Sequence, residues 1–138
     1  MSALPISTPH VRPATEADLP ALRQLWQRLP ALQTAYPMIR DDKMNNAIDR
    51  GELLVLRDLS GYVMYYTRPV DGVAWADVLF AEHPAGERAL LEAVPRPFRV
   101  STPVGDPRGD RLAFLGADIY RELDASARHR ALVTWELR

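Results

Sequence analysis

The chain has 138 residues, no cysteine, and a formal net charge of −1 from 17 basic and 18 acidic residues. A chain of that length is one domain's worth, long enough to bury a core without staples. Lack of cysteine excludes disulfides, thiolate zinc sites, iron–sulfur clusters and a cysteine nucleophile, and near-neutrality supplies no net field toward nucleic acid or an anionic membrane.

The first residues, 1–9, have no charged start and no apolar run of signal-peptide length, so they read as a tail on one domain spanning 1–138. No apolar stretch approaches a membrane span, and the expectation is a soluble cytoplasmic protein. Val11-Arg12-Pro13 is extended, because proline disfavours the helical region for the residue before it. Thr15 and Asp18 have the spacing of a capping box, and Leu19, Leu22, Leu25, Trp26 and Leu29 follow at helical spacing. A helix is expected over 16–29, stopped by Pro30, with 32–37 broken. A second helix is expected over 39–49, with Ile39, Met44, Ala47 and Ile48 on one face and Gly51 as its stop.

The pattern then changes to strands over 52–57, 62–68 and 73–81, joined by the turns 58–61 and 69–72, an antiparallel meander. A helix follows over 85–94, with Ala89, Leu90, Ala93 and Val94 inward, before Pro95 and Pro97 stop it. A strand over 98–102 completes a strand–helix–strand step, which favours parallel pairing. The stretch 103–109 reads as a turn, 110–116 as a short helix, and 119–123 with 131–137 as a closing hairpin. The fold class is α/β (α+β): one mixed, mostly antiparallel sheet of about seven strands with helices on both faces.

That order of elements resembles the GCN5-related N-acetyltransferase (GNAT) superfamily. Val11-Arg12-Pro13-Ala14-Thr15-Glu16-Ala17-Asp18-Leu19 is similar to the family's opening I-R-x-A-x-x-x-D, and Gly61-Tyr62-Val63 to the start of its third strand. Phe80-Ala81-Glu82-His83-Pro84 resembles its L-x-V-x-P segment, and Leu115-Gly116-Ala117 its closing L-G-F. The resemblance runs from about Val11 to Leu137 and implies acetyl transfer from acetyl-CoA to a primary amine of a small molecule or peptide.

In the family the pyrophosphate of acetyl-CoA lies on backbone N–H groups that open the central helix, in an Arg/Gln-x-x-Gly-x-Gly/Ala motif. A helix N-terminus offers unpaired donors to an anion, and glycine lets the backbone come close. The cofactor-binding positions implied here are Phe80, Ala81 and Glu82 at the strand end and Ala85, Gly86, Glu87 and Arg88 after it. This chain departs from the motif. Gly86 alone remains, one place out of phase, the loop after Pro84 is several residues short, and Glu87 adds a negative charge beside the phosphates. The family's frequent acid, a Tyr in the last helix, is matched by Phe114, which has no proton to give.

The resemblance places the general base at Asp77 or Glu82, with backbone N–H groups near Ala81–Glu82 polarising the thioester. Each has a plainer reading: Asp77 as an acid on an open sheet face, Glu82 as a strand-end surface acid. Tyr62, Tyr65 and Trp75 are the candidate substrate-binding aromatics, and cross-strand packing is the commoner explanation for such pairs. Arg96, Arg99, Arg108 and Arg111 form a loose basic set, read either as phosphate contacts or as a mixed solvated surface. His10, His83 and His129 are scattered, so no metal site is expected. Two readings stay open: a GNAT-type N-acetyltransferase, and a non-catalytic GNAT-fold binding, regulatory or oligomerisation module that has lost its cofactor loop. A homodimer paired through 131–137 is an open alternative for the assembly.

Overall fold

The computed structural model describes residues 10–36, 38–128 and 130–138; the expected tail and His129 lie outside them. The elements are β1 (Val11–Pro13), a 3-10 turn (Glu16–Asp18), α1 (Leu19–Arg28), α2 (Pro30–Ala35), α3 (Asp41–Arg50), β2 (Leu53–Leu56), β3 (Gly61–Thr67), β4 (Ala74–Ala81), α4 (Pro84–Ala93), β5 (Phe98–Pro103), α5 (Pro107–Phe114), β6 (Asp118–Leu123) and β7 (Leu132–Leu137). The strands form a mixed seven-stranded sheet in the order β1-β2-β3-β4-β5-β7-β6. β1, β2 and β3 are antiparallel neighbours, β4 and β5 pair in parallel, and β7 runs antiparallel to both β5 and β6.

The expected strands and helices are present, with three corrections. Pro30 opens α2 instead of ending the ordered stretch, because a proline at the first helical position gives up an amide that would have no partner there. Pro84 likewise opens α4, and Pro107 opens α5, whose N-cap Asp106 accepts from the Arg108 amide, so part of the expected turn at 103–109 is helical. On α4 the inward residues are Gly86, Glu87, Leu90 and Leu91, while Ala93 is exposed.

The described residues divide into two compact units. The first holds those up to Tyr65 together with Asp77–Ala93; the second holds Tyr66–Ala76 and those from Val94 onward. In the first unit, Leu19, Leu22, Leu25, Leu32, Met44 and Ala47 from the helices pack on Leu53, Val55, Tyr62, Met64 and Val78 of the strands. Because side chains alternate along a strand, Leu56 points to the other face, where α4 meets it. α3 ends at Gly51, whose φ of +73° is the left-handed region that a side chain disfavours. In the second unit, α5 covers one face of the β5–β7–β6 ladder through Gly109 against Trp135 and the buried Leu112.

Asp18 ties β1 to the start of α1. Its carboxylate accepts two hydrogen bonds from the Arg12 guanidinium, both 2.8 Å, and one from the Thr15 amide, also 2.8 Å. The Arg12 contact, helped by the Thr15 amide, lowers the Asp18 pKa from 3.8 to about 2 against the opposing cost of burial. A depressed folded pKa adds stability that is complete above 3.8 and is lost as pH falls through about 2. Asp18→Asn is therefore expected to lower stability by about 1–2 kcal/mol at neutral pH, since solvent screening around Arg12 discounts the full shift. Urea melts of both proteins across that acid window should converge; parallel curves would contradict the assignment.

Candidate functional site

The strand end of β4 and the opening turn of α4 are the region where the sequence places a ligand. Only Glu82 and His83 separate the two elements. The amide and carboxylate of Glu82 already have partners. The Glu82 amide donates to the Ser60 carbonyl at 2.9 Å, and its carboxylate stands 3.3 Å from Arg28. The Glu82 N–H, one of the amides near Ala81–Glu82 expected to polarise a thioester, is thus engaged within the fold.

The start of α4 offers few donors. Pro84 has no amide to offer. The Gly86 and Glu87 amides both donate to the His83 carbonyl, at 3.0 and 3.2 Å. Gly86 faces the sheet: a Cβ there would lie 2.6 Å from a Leu56 methyl and 3.3 Å from the Ala81 Cβ. Its small size serves the packing of α4 on the strands, and a phosphate has no access from that side. Glu87 is 5% exposed, so a carboxylate is buried in the first turn of this helix. Arg88 lies on the solvent side, 3.1 Å from Glu92 one turn on.

Farther along β4, the Tyr36 hydroxyl donates to the Leu79 carbonyl at 3.0 Å and accepts from the Leu79 amide at 3.2 Å. A side chain from the end of α2 therefore holds both backbone groups of a β4 residue. No feature of the sequence marks this contact, since Tyr36 and Leu79 are far apart in the chain. Asp77 is exposed, with Lys43 at 4.0 Å. Phe80 is half-buried against the helices of the first unit.

The two tyrosines do not share a wall. Tyr62 is 3% exposed and belongs to the core beneath α1, and burial pushes its hydroxyl pKa up to about 12. Tyr65, three places on, points to the other face of β3. It is 7% exposed, its hydroxyl donates to the Gly51 carbonyl, and burial also raises its pKa. Both are structural residues in this geometry, a correction to their reading as cleft aromatics. A small cavity in the first unit is lined by Leu22, Arg23, Trp26, Met38, Ile39, Met44 and Tyr62, and the Arg23 guanidinium there is held by Asp41 and the Ile39 carbonyl.

No family model matches the sequence, and no curated protein is matched by it. Solved structures do match the fold. A GNAT-family acetyltransferase from Bacillus cereus ATCC 10987 superimposes with a TM-score of 0.75 over 96% of this chain and 98% of its own, at 13% identity. Arabidopsis thaliana NAA60, in complex with acetyl-CoA, gives 0.68 over 93% of this chain and 98% of its own, at 13% identity. The Salmonella typhimurium acetyl transferase that modifies the N-terminal serine of ribosomal protein L7/L12 gives 0.68 over 96% and 95%, at 15% identity.

The chain has the GNAT fold. The GNAT cofactor position can then be tested against the residues present. At the start of the central helix a GNAT pyrophosphate needs open amides and small residues turned toward it. Here Pro84 brings no amide and the Gly86 and Glu87 amides donate to the His83 carbonyl, which leaves the Ala85 amide alone, the glycine faces Leu56, and a buried carboxylate stands in the turn. The residues do not fit the group.

Two further readings from the resemblance can be placed in the structure. Phe114, matched to the GNAT acid, is 86% exposed at the end of α5 and has no acidic proton. The strand left open as a dimer edge, β7, is flanked on both sides by β5 and β6, so it has no free edge. Trp75 belongs to the second unit, beside the guanidinium groups of Arg68, Arg99 and Arg121, of which only Arg99 is in the basic set read from the sequence as phosphate contacts or mixed solvated surface. Among the described residues no group of acidic and histidine side chains is arranged to hold a metal, and no helix is long and apolar enough to cross a membrane.

Proposed function

We propose that this protein is a GNAT-fold binding module that does not take up acetyl-CoA on the opening of its central helix. The observation that carries this reading is the closed β4–α4 junction. Glu82 and His83 alone span it, and the Gly86 and Glu87 amides are held by the His83 carbonyl. An anion entering there would have to displace those bonds and approach the buried Glu87 carboxylate, both unfavourable. The Tyr36 hydroxyl on Leu79 supports the same reading, because it leaves the backbone of that β4 residue satisfied without a ligand. Fold alone does not specify catalysis, and the site is what decides.

The acetyltransferase reading, with a small-molecule or peptide amine as acceptor and Asp77 or Glu82 as base, has the bound acetyl-CoA of NAA60 in its favour. One titration separates the two. A ligand that binds only the folded state raises the melting temperature in proportion to the logarithm of its concentration over Kd. Acetyl-CoA and CoA at millimolar concentration are expected to leave the melting temperature unchanged and to give no saturable heat in calorimetry. Saturable binding in the micromolar range, with acetyl transfer to an amine, would replace the binding-module reading by the enzyme.

A further inference from the structure

The second unit contains a cluster for which nothing described so far has a use. Trp75 of β4, Arg99 of β5 and Tyr120 of β6 come together on the sheet face opposite α5. The Arg99 guanidinium lies 3.6 Å from the Tyr120 ring centroid and 5.1 Å from that of Trp75. The two rings meet edge to face at 6.0 Å. Arg68 and Arg121 each place a guanidinium 5.2 Å from the Trp75 ring. Three cations thus surround one indole.

The counter-charges do not account for all of it. Glu136 accepts from Arg99 Nε at 2.7 Å and from Arg138 Nε at 3.0 Å, and Asp71 pairs with Arg68. Arg121 has no carboxylate partner among the described residues. Arg99 is 9% exposed, yet its Nη1 is buried with no hydrogen-bond partner. The indole Nε1 of Trp75 is also buried and unpartnered. Buried polar groups are nearly always paired, and each exception calls for an explanation. Here two orphaned N–H donors fall in the same cluster, inside an excess of positive charge.

We propose that this cluster binds the carboxylate of a small organic acid, with Arg99 Nη1 and Trp75 Nε1 as donors and Arg121 as the neighbouring cation. Cation–π contacts occupy the faces of the guanidinium and leave its N–H edge for an acceptor. A carboxylate is planar, singly charged and able to take one bond from each donor. A doubly charged phosphate would lose more hydration in reaching buried donors. The ring of Tyr120, half open to solvent, offers an apolar wall to the rest of the acid. The site stands on residues of the second unit alone, so it does not depend on whether acetyl-CoA binds.

Benzoate is the probe, with inorganic phosphate and sodium chloride at matched ionic strength as comparisons. Binding is measured by calorimetry and located by the indole N–H resonance of Trp75, assigned by its loss in Trp75→Phe. A saturable benzoate isotherm in the low-millimolar range or tighter is expected, with a shift of that resonance and no such response to chloride. Trp75→Phe, which keeps an aromatic ring, should weaken benzoate about tenfold, the effect of losing one hydrogen bond to a charged acceptor. Arg121→Gln, at an exposed position, should weaken it several-fold while the melting temperature holds. Arg99→Lys keeps the charge beside Glu136 and should also lose affinity. A resonance that follows chloride and benzoate alike, an affinity unchanged in both Trp75→Phe and Arg121→Gln, or a response to phosphate but not to benzoate would overturn the assignment.

Discussion

Gly61→Ala is expected to destabilise the protein by about 3 kcal/mol, at the upper end of overpacking substitutions. A Cβ at this position would lie 2.5 Å from the Phe80 carbonyl oxygen and 2.7 Å from the Ala81 Cα. Both obstacles are backbone atoms of β4, which cannot turn aside as a side chain would. The cost has to be met by shifting β3 away from β4 where Gly61 is buried and Phe80 and Ala81 are half-buried. Gly86→Ala offers a graded comparison. Its Cβ would meet a Leu56 methyl at 2.6 Å, the far end of a side chain that can rotate, so a smaller loss is expected. Urea denaturation of the two variants checks the order; an equal or reversed ranking would mean that β4 yields more easily than its packing implies.

Glu136→Gln is expected to cost about 3 kcal/mol, because it leaves the Arg99 guanidinium buried without its counter-ion. Both side chains are nearly enclosed, and they meet across the β5–β7 ladder, where Arg99 and Glu136 are in register. The Arg99 contact, with smaller help from Arg138, holds the Glu136 carboxyl below its usual range of about 4.5. The sign follows from the depressed value: the stabilisation is complete above the ordinary carboxylate pKa and is lost as pH falls through the lower folded one. A double variant, Arg99→Met with Glu136→Leu, should recover most of the loss, since an apolar pair removes the uncompensated charge. Equal stability of Glu136→Gln and the parent protein would show that the ring contacts of Arg99 suffice to hold its charge.

These two positions differ in how far the sequence could announce them. The Gly61-Tyr62-Val63 string marks the start of a strand by its glycine and the residues that follow, and a close approach of backbone is the ordinary reason for glycine at such a place. Arg99 is a different case. Its neighbours in sequence, Phe98 and Val100, mark a strand, but nothing near it reveals that Glu136 stands opposite. Such pairing is set by the register of strands distant in the chain, and a one-residue slip would turn Arg99 to the other face. The residue therefore read as a phosphate contact or as solvated charge, although it is buried beside Glu136.

The caps were legible because they are local. Asp18 reaches back to Thr15 three residues away, and Gly51 takes the left-handed turn that ends α3. Prolines were harder, since the same ring that breaks a helix interior is favoured at its first position; Pro30, Pro84 and Pro107 all proved to be starts. The order of strands and helices followed from alternation and helical spacing, which depend on nearest neighbours along the chain. The shortness of the β4–α4 connection was likewise visible as absent residues after Pro84.

What the chain order could not convey is direction. Whether Gly86 opens toward a ligand or toward Leu56, whether Tyr62 and Tyr65 share a cleft or lie on opposite faces of β3, and whether Tyr36 closes on Leu79 are questions of which side chain meets which across elements remote in sequence. Those contacts form only when helices dock on a registered sheet. Close packing then gives each buried group one set of neighbours, and that set separates a satisfied core residue from a binding one.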